Sequence, residues 1–154
     1  MENNIVLSFS KAYKDKNIRK ILSSLLYIFI ISIISFKHIQ AGKGKIFIII
    51  GGIILIGNFS EMISGILEIC NIKRCPYIRA DEKVMEVCIG KVAKYETVDI
   101  KEISSYTLMG TKDIILNRKN NDLNINLSKL TVDDIEIFKN FLNEAGIVKK
   151  GAVI

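Results

Sequence analysis

Metal binding and nucleophilic catalysis fall first on cysteine and histidine, and this chain carries three cysteines and one histidine. Cys70, Cys75 and Cys88 contain no CxxC pair, and His38 is distant from all of them in sequence. A tetrahedral zinc site lacks its ligands in such a pattern. The spacing reads instead as free thiols in a reducing compartment. A single histidine also removes most His–carboxylate metal sites and Ser-His-Asp catalysis. No glycine-rich loop opens a helix, as a nucleotide-phosphate site would need. Cys88 has no base near it in sequence. Asp133, Asp134 and Glu136 fall in the first turn of an expected helix, where carboxylates suit the dipole. Asp81 and Glu82 read as a turn, Asp99 and Glu102 as the flanks of a strand end, and Tyr77, Tyr95 and Tyr106 as sheet or interface aromatics. We therefore expect no enzyme, no catalytic residue, no cofactor and no metal.

One acid stands apart. Glu61 follows the uncharged run Ile46–Ser60, and ionisable groups within apolar spans are functional candidates by default. The elements that would position it are two long apolar segments. Residues 21–36 read ILSSLLYIFIISIISF with no charge, and residues 46–58 read IFIIIGGIILIGN, with apolar character continuing through Ile69. About 20 helical residues cross a hydrocarbon core of ~30 Å. The runs are apolar all round, unlike a helix half-buried in a soluble core. No small-residue cleavage site follows the first run, so a signal peptide is disfavoured. We expect a basic leader over residues 1–20, a first transmembrane helix over 21–36, a short extracytoplasmic turn over 37–45, and a second helix over 46–72 with an interfacial extension.

The net charge is +6. The lysines crowd beside the apolar runs, where anionic headgroups are the nearer partner, and no aromatic–basic interleaving marks a nucleic-acid surface. Lys11, Lys14, Lys16, Arg19 and Lys20 precede the first run, Lys73, Arg74, Arg79 and Lys83 follow the second, and only Lys37, Lys43 and Lys45 lie between. The positive-inside bias then places both termini in the cytoplasm. With Phe36 level with Ile46 in an antiparallel hairpin, Glu61 lies level with Ile21 and pairs with Arg19 or Lys20. Gly51, Gly52 and Gly57, with Ser60 and Ser64, permit close helix contact, either within the hairpin or between copies through the second helix.

After Pro76 the pattern becomes short and alternating. Tyr77–Ala80, Val84–Ile89, Ala93–Asp99, Ile103–Met109, Asp113–Asn117 and Leu123–Leu127 read as about six strands in meander order. Thr131 with Asp134 three residues on resembles a capping box. Ile135, Phe138, Leu142 and Ala145, with Phe141 beside them, give that helix an apolar face, and Gly146 stops it. The fold expected over residues 76–147 is α+β, a small antiparallel barrel or curved sheet capped by one helix, with 148–154 as a tail.

Three stretches carry a resemblance that covers nearly the whole chain: Ile5-Val-Leu-Ser-Phe-Ser-Lys-Ala-Tyr-Lys14, Cys75-Pro-Tyr-Ile-Arg-Ala-Asp-Glu82, and Tyr95-x-Thr97-x-Asp99-Ile100-x-x-Ile103. The chain resembles a small family of bacterial membrane proteins with two N-terminal transmembrane helices and a C-terminal pleckstrin-homology-like (PH-like) domain. Thr97 stands where that family carries Trp, and Lys83 near a common turn glycine. The resemblance implies a scaffold, and a scaffold alone supplies no ligand.

The function expected is a membrane-anchored interaction module at the inner face of a bacterial membrane, partnered by the lipid bilayer and a protein or peptide, with homo-oligomerisation through the second helix. Lys91, Lys94, Lys101 and Lys112 are its candidate lipid or partner surface. Two other classes fit the same features: self-immunity to a membrane-active bacteriocin or toxin, by family analogy, and a small transport or channel accessory subunit, resting on Glu61, Asn58 and the glycines.

Overall fold

The computed structural model describes residues 4–41, 45–89 and 94–153. Its elements follow the order β1 (Ile5–Leu7), α1 (Lys11–Gln40), α2 (Lys45–Arg74), β2 (Ile78–Ala80), β3 (Val84–Ile89), β4 (Lys94–Asp99), β5 (Ile103–Met109), β6 (Asp113–Arg118), β7 (Leu123–Asn126), α3 (Val132–Glu144) and β8 (Val148–Val153). The chain divides into two compact units, Asp15–Cys70 and the remainder on either side of it.

The first unit is a helical hairpin. Each helix has 30 residues, or ~45 Å at ~1.5 Å per residue. Both pass the length and composition test for a membrane span, and little of either apolar window is buried, 6% in α1 and 11% in α2. The inward positions of α1 are Asn17, Ile21, Ser24, Ile28, Ile31 and Ser35, and those of α2 are Gly51, Leu55, Asn58, Met62 and Gly65. Their alternating spacing of three and four is the seam of left-handed helix packing. Small and polar residues occupy much of it, as they do where apolar side chains gain nothing by leaving lipid. A Cβ on Gly65 would sit 2.8 Å from Ile21 Cγ1, and one on Gly51 would sit 2.7 Å from Ser35 Oγ. These glycines let the backbones approach. Gly52 and Gly57 have open space around them. The hydroxyl of Ser24 is buried in the seam without a hydrogen-bond partner.

This seam corrects the expected register. Ile21 meets Gly65, so Glu61 lies one turn further on, level with Leu25. Both helices run past the apolar runs, to Gln40 and from Lys45, and the observed register differs from the expected one by about four residues.

The second unit has two four-stranded sheets, ordered β1-β2-β3-β4 and β7-β6-β5-β8. All six expected strands are present within a residue or two of their expected bounds. The layout is α+β, but the sheets do not close into a barrel. Asp99 accepts from Lys101 N at 2.9 Å and starts a 3-10 turn over Ile100–Glu102. That turn redirects the chain, and β5 begins a second sheet. Two further strands come from segments expected as leader and tail. β1 pairs with β2 antiparallel, Val6 opposite Arg79, and β8 pairs with β5 in parallel, so the second sheet is mixed.

The core lies between the sheets and α3. Ile78, Met85, Val87 and Val98 from one sheet, Ile114, Leu116 and Ile125 from the other, and Phe138 and Leu142 from α3 are almost wholly buried. Arg118 Nη2 lies 2.6 Å from Glu96 Oε1 and ties β6 to β4 across the sheets. Thr131 caps α3 as expected: Thr131 Oγ1 accepts from Asp134 N at 3.1 Å, and Asp134 Oδ2 accepts from Thr131 N at 3.4 Å. Gly146 ends it at φ +74°. Gly146 N donates to Asn143 O and Ile147 N to Leu142 O, the paired closure of a Schellman motif. Ala145 is exposed; the buried Ile147 takes the apolar place beyond the helix end.

Candidate functional site

The densest gathering of aromatic and cationic groups joins the two chain segments that flank the hairpin. Phe9 follows β1, Tyr13 lies in the first turn of α1, Tyr77 precedes β2, and Lys129 ends the 3-10 turn after β7. The rings of Phe9 and Tyr13 stack at 5.7 Å, and those of Phe9 and Tyr77 meet at 5.1 Å. The Lys129 ammonium lies 5.0 Å from the Tyr77 ring centre, 5.6 Å from Tyr13 and 6.0 Å from Phe9. A cation facing three aromatic rings is attracted by each ring's negative face. Backbone bonds fix the frame: Ser10 N donates to Lys129 O at 2.7 Å, and Tyr77 N to Leu7 O at 2.8 Å. The Tyr77 hydroxyl accepts from Asn126 N at 3.0 Å. The site thus binds the start of α1 and the exit of α2 to both sheets.

Sequence reading missed Phe9, Tyr13 and Lys129 as a group and took Tyr77 as a sheet or interface aromatic. The available signal was the i, i+4 spacing of Phe9 and Tyr13 just before the first apolar run, with Tyr77 just after the second. Trp and Tyr are enriched at the ends of long apolar runs that span membranes.

A second polar strip crosses the outer face of the first sheet. Arg79 Nη2 donates to Tyr95 Oη at 2.9 Å, its guanidinium carbon lies 4.8 Å from the Tyr95 ring centre, and Nη1 lies 3.9 Å from Glu86 Oε2. The Tyr95 hydroxyl in turn donates to Pro76 O at 3.2 Å. The bond to Tyr95 raises the Arg79 pKa above its ordinary value. Burial raises that of Tyr95, against the opposing pull of Arg79. At the neighbouring turn, Asp81 Oδ1 accepts from Lys83 N and Val84 N, both at 2.7 Å. Those two bonds lower the Asp81 pKa.

The expected site residues separate. Glu61 and Arg19 are exposed and Lys20 is half-buried. Among the described residues Glu61 has no ion pair with either cation. The register places Lys20 ~8 Å further along the axis than Leu25, the residue level with Glu61. Lys94, Lys101 and Lys112 are all exposed. Lys94 and Lys101 stand at opposite ends of β4, and Lys101 and Lys112 at opposite ends of β5. The structure therefore does not gather them into one patch. Lys91 lies outside the described residues. The glycine and serine set also divides. Gly51 is in the hairpin seam, whereas Gly57, Ser60 and Glu61 are exposed and Ser64 is half-exposed. Among the described residues, no three His, Cys, Asp or Glu side chains gather at metal-binding range.

No protein-family model matches the chain, and no curated protein matches it.

Proposed function

We propose that the protein is a membrane-anchored interaction module. The hairpin crosses a bacterial cell membrane twice, both termini are cytoplasmic, and the α+β unit, PH-like in its strand-and-helix order, binds a protein or peptide at the inner face. The observation that carries this reading is the outer surface of the hairpin. Large apolar side chains from Leu22 to Ile39 and from Ile48 to Leu67 are exposed along both helices, far beyond the apolar patches that soluble monomers expose. Lipid is the environment that removes this surface from water. Tethering then raises the effective concentration of the sheet unit for membrane-associated partners. The scatter of Lys94, Lys101 and Lys112 favours a protein or peptide over a sheet of anionic headgroups.

The test is affinity capture of the full-length protein after in-membrane crosslinking. A reproducible stoichiometric partner supports the module. Recovery of the protein alone under every crosslinking condition contradicts it.

A specific observation favours a partner span as well. Gly57, Ser60 and Glu61 face away from α1, and charged residues in spans almost always face protein or water. This supports assembly of the hairpin through the outer face of α2, with a second copy as the simplest partner. Crosslinking between copies through a cysteine at position 60, in a variant lacking the native cysteines, is expected. Exclusively monomeric protein at that position rules this assembly out.

A further inference from the structure

Two of the three thiols touch, and nothing in the interaction-module reading uses them. Cys75 directly follows α2, its backbone N–H still bonded to Asn71 O at 3.1 Å. Cys88 lies in β3 opposite Tyr95 in β4. Their sulfurs are 3.4 Å apart. Cys75 is 7% exposed and Cys88 1%. Cys75 Sγ also lies 3.3 Å from Asn71 O, which can take its proton and leave the sulfur's lone pairs toward Cys88. The backbone around the pair is held, since Cys88 N donates to Tyr77 O at 2.8 Å. A disulfide has an S–S distance of ~2.05 Å, so the sulfurs need to close by only ~1.4 Å. A cation stands close by: Arg79 bonds to the Tyr95 hydroxyl, which itself bonds to Pro76 O, next to Cys75. Cys70 is exposed and lies outside this pair.

We propose that Cys75 and Cys88 form a reversible intramolecular disulfide when the protein meets hydrogen peroxide. Cys75, the more exposed of the two residues, attacks one peroxide oxygen through its sulfur. An S–O bond forms, the O–O bond breaks, and the departing hydroxide takes the thiol proton and leaves as water. The Cys88 sulfur then attacks Cys75 Sγ of the sulfenic acid. The S–S bond forms, the S–O bond breaks, and the hydroxyl leaves with the Cys88 proton as a second water. Two thiols and one peroxide thus give one disulfide and two waters, a two-electron oxidation along the ordinary thiol ladder. An external dithiol reverses it by exchange. The bond covalently ties the residue that follows α2 to β3, a redox-controlled clasp.

The test uses the full-length protein in isolated membranes. Samples are titrated with hydrogen peroxide, blocked with N-ethylmaleimide and digested with trypsin. Cleavage after Lys73, Arg74, Arg79, Lys83 and Lys91 puts Cys70, Cys75 and Cys88 on three different peptides. The expected result is loss of the maleimide-labelled Cys75 and Cys88 peptides, their replacement by one linked pair, and its disappearance on treatment with dithiothreitol. Cys70→Ser is expected to leave that linked yield unchanged. Cys88→Ser is expected to trap the sulfenic acid at Cys75, read by dimedone labelling. Conversion of wild-type Cys75 to sulfinic acid without a linked peptide overturns the proposal. So does a titration in which Cys70 is consumed while Cys75 and Cys88 stay fully labelled.

Discussion

Asp81 is held by two backbone N–H groups at the β2–β3 turn, and its pKa lies below the ordinary value of 3.8. A depressed carboxylate pKa stabilises the fold above the unfolded value, and that contribution is lost as pH falls through the folded value. Asp81→Asn keeps the acceptor and removes the charge. We expect the melting temperature of the variant to fall less steeply between neutral pH and the acid range than that of the parent; parallel curves would remove Asp81 from the acid response. Lys129 permits a comparable separation of charge from packing. Lys129→Met keeps the stem and loses the ammonium, and a cation facing aromatic rings contributes ~1 kcal/mol. Loss of about that much stability in denaturant titration is expected. An unchanged midpoint would assign the cluster to packing alone. These two residues also show what local sequence conveys. The Asp81 turn was legible because its chemistry spans three positions, whereas Lys129 reaches Tyr77 only after the chain has made both helices and six more strands.

At the scale of elements, the hairpin seam and the capped helix α3 show why some features were readable and others were not. Thr131, Asp134 and Gly146 act on neighbours within a turn, so the cap and stop of α3 stand in the sequence directly; Thr131→Ala is expected to cost ~1 kcal/mol. Strands β2 to β7 were legible for the same reason, since alternation and turn residues are local. β1 and β8 were not, because three residues of leader and a Lys-rich tail become strands only when a partner edge is present. The helix register depended on where the helices end, which apolar composition alone does not mark, and with it the level of Glu61 along α1. Within the seam, Gly65→Ala forces a Cβ to 2.8 Å from the branched Ile21 stem, and overpacking of this kind costs ~1–3 kcal/mol. At Gly51 the obstacle is the Ser35 hydroxyl, which can rotate away. We therefore expect Gly65→Ala to lower the thermal stability of the detergent-extracted protein more than Gly51→Ala does; the reverse order would contradict the seam. Ser24→Ala removes a buried hydroxyl that has no partner, and stability is expected to hold or rise by up to ~1 kcal/mol.

For the whole molecule, the chain order creates an unusual dependency. The strand β1 precedes the hairpin and its partner β2 follows it, so the first sheet is complete only when the chain segments on either side of the hairpin meet. The proposed interaction module and the proposed assembly through the outer face of α2 both presuppose that the exposed apolar faces of both helices are covered by lipid. Alkaline carbonate washing of membranes from cells making the full-length chain tests this most directly. The protein is expected to remain wholly in the pelleted bilayer after the wash. Its release into the supernatant with peripheral proteins would contradict the account.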